Sequence, residues 1–275
     1  RGNTHTMVLP GHLFQASLSG DFAPVRQFLE SNPERVNEDF DGTYGIMNPL
    51  TLCLVNPTYP SEMVRYLISL GADVECQNKT LPPLHFACSV PHPEAVAALL
   101  QAGANVHRID DGSAIHVHLL KESKFVNTFN HQPLSAETVA WVTDRIFECL
   151  RLLLRAGLAL DVLQQGTITP LEQIIGELMR SVHDAGHLGR SLDLVRAVRA
   201  SIYTSASPRL SPWRQYVLAP SVAVLRFRSL FFRGRARVRG VVSGPTPRPI
   251  AWLLTPQTPR EIVWNGLAFW NPRYE

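Results

Sequence analysis

Residues 63–106 carry one pattern twice, and this doubling limits the folds open to the chain. Leu67-Ile68 precede Gly71-Ala72-Asp73-Val74, and Leu99-Leu100 precede Gly103-Ala104-Asn105-Val106, with the two glycines 32 residues apart. Between the copies lies Pro83-Leu84-His85-Phe86-Ala87. Pro83 suits the first turn of a helix, where its missing N–H costs nothing. Leu84 and Ala87 share one helical face, and Ala87 is small enough for a close helix approach. Val96, Leu99 and Leu100 form the apolar stripe of a second helix, which predicts burial for both leucines against the following unit. Gly71 and Gly103 stand where a helix end favours a left-handed residue. A unit made of one such helix pair cannot bury its apolar face alone, so it must stack on copies of itself.

A period near 33 residues, a helix opening on a Pro-Leu-His-x-Ala pattern and a helix closing on Leu-Leu-x-x-Gly-Ala-Asp/Asn-Val resemble the ankyrin repeat. The resemblance implies an all-α ankyrin-type helical solenoid of about five repeats with β-turn fingers, here followed by a C-terminal appendage. It also implies a protein-binding scaffold without catalysis or cofactor, gripping its partner with the finger tips and the concave inner-helix face. On that basis the candidate partner-binding residues are Gln77, Asn78, Lys79, Arg108, Asp110, Asp111, Gln164 and Gln165.

The repeat-like region spans about residues 12–203. The first repeat is degenerate: Leu13, Phe14 and Ala16 match an inner helix, Val25, Phe28 and Leu29 an outer one, and Asn37 to Asp41 replaces the usual finger. The second has Asn48-Pro49-Leu50-Thr51-Leu52-Cys53 at the motif position, with Ser61 as a cap for its outer helix. In the third, Pro82 replaces the threonine whose hydroxyl normally bonds the repeat histidine, so His85 must find another partner. The fourth opens at 112–116 and closes on Leu153-Leu154 and Gly157, 54 residues after Gly103. The surplus predicts a projecting loop over about 121–134, then a long outer helix capped by Ser135, with Val139, Val142, Ile146, Cys149, Leu150 and Leu153 as its stripe. The fifth opens on Thr169-Pro170-Leu171-Glu172, which reads as a capping box. Ile174, Ile175, Leu178 and Met179 continue its inner helix, and Ser191 stands as a cap for its outer one.

Charge divides the chain. Residues 1–193 hold 13 Lys+Arg against 21 Asp+Glu, a balance of −8, whereas residues 194–260 hold 12 Arg and no acidic residue, a balance of +12. Residues 204–257 read as an Arg/Pro-rich linker or tail, in which Leu225 to Arg228 and Arg235 to Arg239 alternate like strands and 216–232 also fits a helix. Arg226, Arg228, Arg233, Arg235, Arg237 and Arg239 are candidate anion-binding residues, and interleaved Phe227, Phe231 and Phe232 suit nucleic acid. Anionic membrane is the other external ligand such a tail admits. The opposite charges of the two regions favour the tail covering the acidic repeats over either.

Residues 258–275 contain a capping box at Thr258 and Glu261, then Ile262, Leu267 and Trp270 on one helical face. This stretch partly resembles the first helix of an F-box, and more loosely the end of a SOCS box. The likeness implies a docking helix for a ubiquitin-ligase subunit, with the repeats holding a substrate. Thr258 and Gly266 depart from the F-box pattern, and the chain stops before the rest of an F-box.

Four cysteines without a close pair, and no secretory or membrane-spanning run, point to reduced thiols in an intracellular protein, cytoplasmic or nuclear. A monomer is expected, and an opening Arg1 in place of Met fits a fragment or a processed form. Ten histidines raise the question of a metal. His183 and His187 lie four apart, and His116 and His118 are close, but neither pair has a third ligand at metal-site spacing, so no metal is assigned. Asp110 and Asp111 read as turn formers as well as contact residues.

Overall fold

The computed structural model describes residues 9–18, 21–40, 47–55, 61–76, 81–110, 113–120, 135–164, 167–181, 188–204 and 210–232. The chain divides into two compact units, residues 1–196 and 197–275, each described by itself. The first holds a succession of helix pairs: α1 (Gly11–Leu18) with α2 (Ala23–Ser31), α3 (Pro49–Val55) with α4 (Ser61–Ser69), and α5 (Pro83–Ser89) with α6 (Pro93–Gln101). Then come α7 (Ile115–Leu120) with α8 (Ala136–Arg155), and α9 (Leu171–Ser181) with the start of α10 (Gly189–Thr204), within which the division between units falls. Inner helices α1, α3, α5, α7 and α9 pack one on the next, and outer helices α4, α6 and α8 form a second row. All seven residues of α5 are buried, His85 among them, because α5 lies between α3 and α7 with α6 behind it.

Three pairs end in the same way. Gly71, Gly103 and Gly157 have φ of 91°, 93° and 106°, a region closed to most side chains. The residue after each glycine donates back five positions, Ala72 to Leu67, Ala104 to Leu99 and Leu158 to Leu153, at 3.0, 3.0 and 2.9 Å. These bonds satisfy carbonyls that a bare helix end would leave open. The donated-to leucines are fully buried, so one position anchors the core and closes the turn. Leu100 departs from expectation. It is half-buried while Leu99 is buried, because the outer helix presents only one of two adjacent residues squarely to the core.

The long helix α8 has 20 residues, against nine in α4 and α6. Val139, Val142, Ile146, Cys149, Leu150 and Leu153 are all buried, as the three- and four-residue spacing predicts. Ser135 caps it, its Oγ accepting from Thr138 N–H at 3.2 Å. Three other expected caps fall differently. Ser61 is the first residue of α4 rather than a residue ahead of it, and Thr169 lies in a strand two residues before α9. Ser191 is inside the first turn of α10, buried, with no hydrogen-bond partner for its hydroxyl. The expected loop at 121–134 lies outside the described residues.

In the second unit, Pro212–Phe232 forms one helix, α11, so 225–228 is helical rather than strand-like, while 235–239 lies outside the described residues. No helix among the described residues is long and apolar enough to cross a membrane. All four cysteines are buried reduced thiols.

Candidate functional site

The fingers project where each helix pair hands over to the next, and their geometry is set by side chains bonding backbone. Asp73 Oδ1 accepts from Glu75 N–H and Asn105 Oδ1 from His107 N–H, each at 2.9 Å, so the second and third fingers make the same tight turn. Each finger is also tied to the one before. Asn37 donates to the Gly71 carbonyl at 3.0 Å and accepts from Asp73 N–H at 2.7 Å. Glu75 repeats the role one step along, taking Asn105 N–H at 2.6 Å on Oε1. Arg108 then returns to Glu75, donating to its carbonyl at 2.6 Å and its Oε2 at 3.0 Å.

His85 joins this network from below. Its Nε2 lies 3.2 Å from the Arg108 carbonyl, a partner found where Pro82 offers no threonine hydroxyl. The second repeat solves the same problem locally. Asn48 Oδ1 accepts from Thr51 N–H at 2.9 Å while Thr51 Oγ1 accepts from Asn48 N–H at 3.1 Å, a reciprocal cap built from two short polar residues. Asn48 Nδ2 then reaches Cys76 Sγ in the next finger at 3.2 Å.

Beyond Arg108 the fingers become a sheet. Strands β1 (Ile109–Asp110), β2 (Ser113–Ala114), β3 (Asp161–Gln164) and β4 (Thr167–Pro170) pair antiparallel in that order. The seam between the two hairpins is Ser113↔Gln164, and it aligns Asp110, Ser113, Gln164 and Thr167 in one transverse row. Two candidate contact residues 54 positions apart in sequence, Asp110 and Gln164, thereby share that row. Arg108 lies two residues from Asp110, with its side chain 22% exposed and held by Glu75. Gln77, Asn78, Lys79, Asp111 and Gln165 lie outside the described residues.

Sequence reading missed Ile109 and Ile168, which are 49% and 71% exposed on the edge strands. A large apolar residue between turn formers, as in Thr167-Ile168-Thr169-Pro170, was the available signal. It also missed the outer face of α8. There Arg145 stacks over half-exposed Trp141 at 4.8 Å and bonds the Pro91 carbonyl at 2.7 Å, while Arg190 stacks over Phe147 at 4.4 Å and bonds Asp144 at 2.8 Å. Burial pushes Glu94's carboxyl up, but its own backbone hydrogen bond, Arg145 and His92 outweigh this and hold it below the ordinary value.

Of the anion-binding candidates, Arg226 is exposed and Arg228 half-buried on α11; Arg233, Arg235, Arg237 and Arg239 lie outside the described residues. So do Ile262, Leu267 and Trp270, and His183 and His187. Among the described residues no three His, Cys, Asp or Glu side chains gather as metal ligands would.

Helix pairs stacked in register, closed by glycine turns and joined through a shared finger sheet, define a repeat solenoid of the protein-interaction type. Residues 13–110 match the family profile for ankyrin repeats in three copies, so this part of the chain consists of ankyrin repeats. The pair α7/α8 and the inner helix α9 continue the architecture beyond the matched segment. No curated protein matches the chain.

Proposed function

We propose that this chain is a scaffold that grips a protein partner along the finger sheet and the adjoining fingers, with Arg108, Asp110 and Gln164 at the centre of the contact and Gln77, Asn78, Lys79, Asp111 and Gln165 flanking it. The observation that carries this reading is the row Asp110–Ser113–Gln164–Thr167, which unites two fingers into a single surface. Backbone ties at Asn37 and Glu75 fix the fingers in advance, so less ordering entropy opposes binding. Asp73, Asn105 and His107 of the fingers are exposed, in contrast with the buried residues of the inner helix α5, which are committed to stacking.

The test uses a partner captured by the whole chain and then purified. Replacing Asp110 and Gln164 together by Arg is expected to weaken its affinity by about tenfold or more, since a few central residues dominate most interfaces. The melting temperature should stay within a degree or two of the parent, because surface substitutions rarely exceed about 0.5 kcal/mol. Unchanged affinity would place the contact elsewhere on the stack.

A further inference from the structure

The outer edge of the finger sheet has a defined hydrogen-bonding polarity. Leu171 donates to the Leu160 carbonyl at 2.9 Å just beyond the β3–β4 ladder. Bonded and non-bonded pairs alternate in an antiparallel ladder, so 169/162 and 167/164 are bonded pairs and 168/163 is not. Ile168 therefore turns its N–H and C=O away from β3, toward the outer side of the sheet. Its side chain is the most exposed of the large apolar residues among those described, at 71%. Two residues on, Pro170 has no N–H to offer, which sets one end of the available edge.

Two further observations bear on what lies there. The sheet already grows by strand addition from finger to finger: β3 joins β2 at Ser113↔Gln164, so a strand laid on β4 extends an existing seam. Ile109, on the opposite edge strand, lies in the same transverse row as Ile168, because each is one position off the row through Asp110 and Thr167. The two isoleucines thus face the same side, three strand spacings or about 14 Å apart. The charge is also one-sided. Residues 1–193 carry 21 acidic against 13 basic residues, and Asp161, paired with Pro170 at the end of this edge, is exposed.

We infer that the outer edge of β4 accepts an extended basic segment of a partner protein by antiparallel β-strand addition, centred on the N–H and C=O of Ile168. This rests on the reading of the fingers as the binding surface and specifies its mode. Main-chain bonds to Ile168 supply the register, an apolar side chain of the incoming strand lies beside Ile168, and its Arg or Lys residues meet the acidic repeat region.

The experiment uses the full chain and a fluorescent synthetic heptapeptide, Thr-Arg-Ile-Arg-Val-Arg-Thr, read by anisotropy. Binding is expected, weakening as salt rises and lost when glutamate replaces each arginine. Ile168→Pro removes the outward N–H without touching the bonds to β3 and should weaken binding about tenfold, whereas Ile168→Val should keep it. Amide exchange at Ile168 in the unaltered chain should slow on adding the peptide, and this readout decides the matter if Ile168→Pro does not fold. No binding, binding unaffected by Ile168→Pro, or unchanged exchange at Ile168 would overturn the proposal. Conversion of a dimer to a monomer by Ile168→Pro would name a second copy of the chain as the occupant and overturn it as well. If the peptide fails but Asp110→Arg with Gln164→Arg still releases a captured partner, the fingers bind by their surface and the edge does not.

Discussion

His85 shows how much one residue can carry. It is fully buried, and its Nε2 contacts a carbonyl 23 residues further along, in the finger that leads into the sheet. Replacing it by alanine leaves the Arg108 carbonyl without that partner and opens space between α3 and α7. The expected loss is about 1–3 kcal/mol for the unsatisfied group, with more for the void, read from urea unfolding. A loss below about 0.5 kcal/mol would mean the contact contributes nothing net. Glu94 makes a second residue-scale prediction. Its folded carboxyl lies below the ordinary value, so its contribution is present above the unfolded pKa and lost as pH falls through the folded one. Glu94→Gln should therefore narrow the gap in melting temperature between neutral pH and acid, since the neutral amide has no charge to lose as pH falls.

Among the elements, the fingers are joined to one another through bonds that run between repeats. Glu75 accepts from Asn105 N–H and from Arg108, so Glu75→Ala and Arg108→Ala should not be additive. A double-mutant cycle is expected to give a coupling of about 0.5–1 kcal/mol for this part-exposed pair, and a coupling indistinguishable from zero would make the ion pair incidental. These ties also show where sequence reading stops. The helices were legible: the stripe of α8 is buried at each predicted position, because a 3.6-residue period reports directly on which face meets the core. The need of His85 for a new partner was legible too, from a missing hydroxyl. Its identity was not, since Arg108 comes close only after α6 has folded back on α5 between them. The caps show the same boundary. Ser135 caps as read, but Thr169 belongs to β4, because pairing with Val162 claims its backbone before the helix begins. The row joining Asp110 to Gln164 depends on a strand register across a long insertion, and no local pattern encodes that.

At the scale of the whole molecule, the stack makes stability a property of neighbours. Each helix pair contributes its own packing and an interface with the next, so damage spreads along the solenoid before it spreads across it. The chain carries built-in reporters of this. Cys53, Cys88 and Cys149 are fully buried, on α3, α5 and α8, one in each of three successive pairs. Burial raises the pKa of all three, so at neutral pH they are protonated thiols that react only when their repeat opens. A raised folded pKa means that the thiols' contribution is intact below the unfolded value and lost as pH climbs past about 8.5, so stability should decline above that point. Leu99 closes the third pair, with its side chain fully buried and its carbonyl taking Ala104 N–H. Leu99→Ala should cost about 2–5 kcal/mol. In a stacked solenoid, thiol labelling under native conditions should then quicken most at Cys88 and Cys149, whose pairs meet near Leu99, and less at Cys53. In a single cooperative globule all three rates would rise by the same factor. Equal acceleration would show that the repeats of this chain unfold as one body, and that the finger ties couple them more tightly than nearest-neighbour stacking alone.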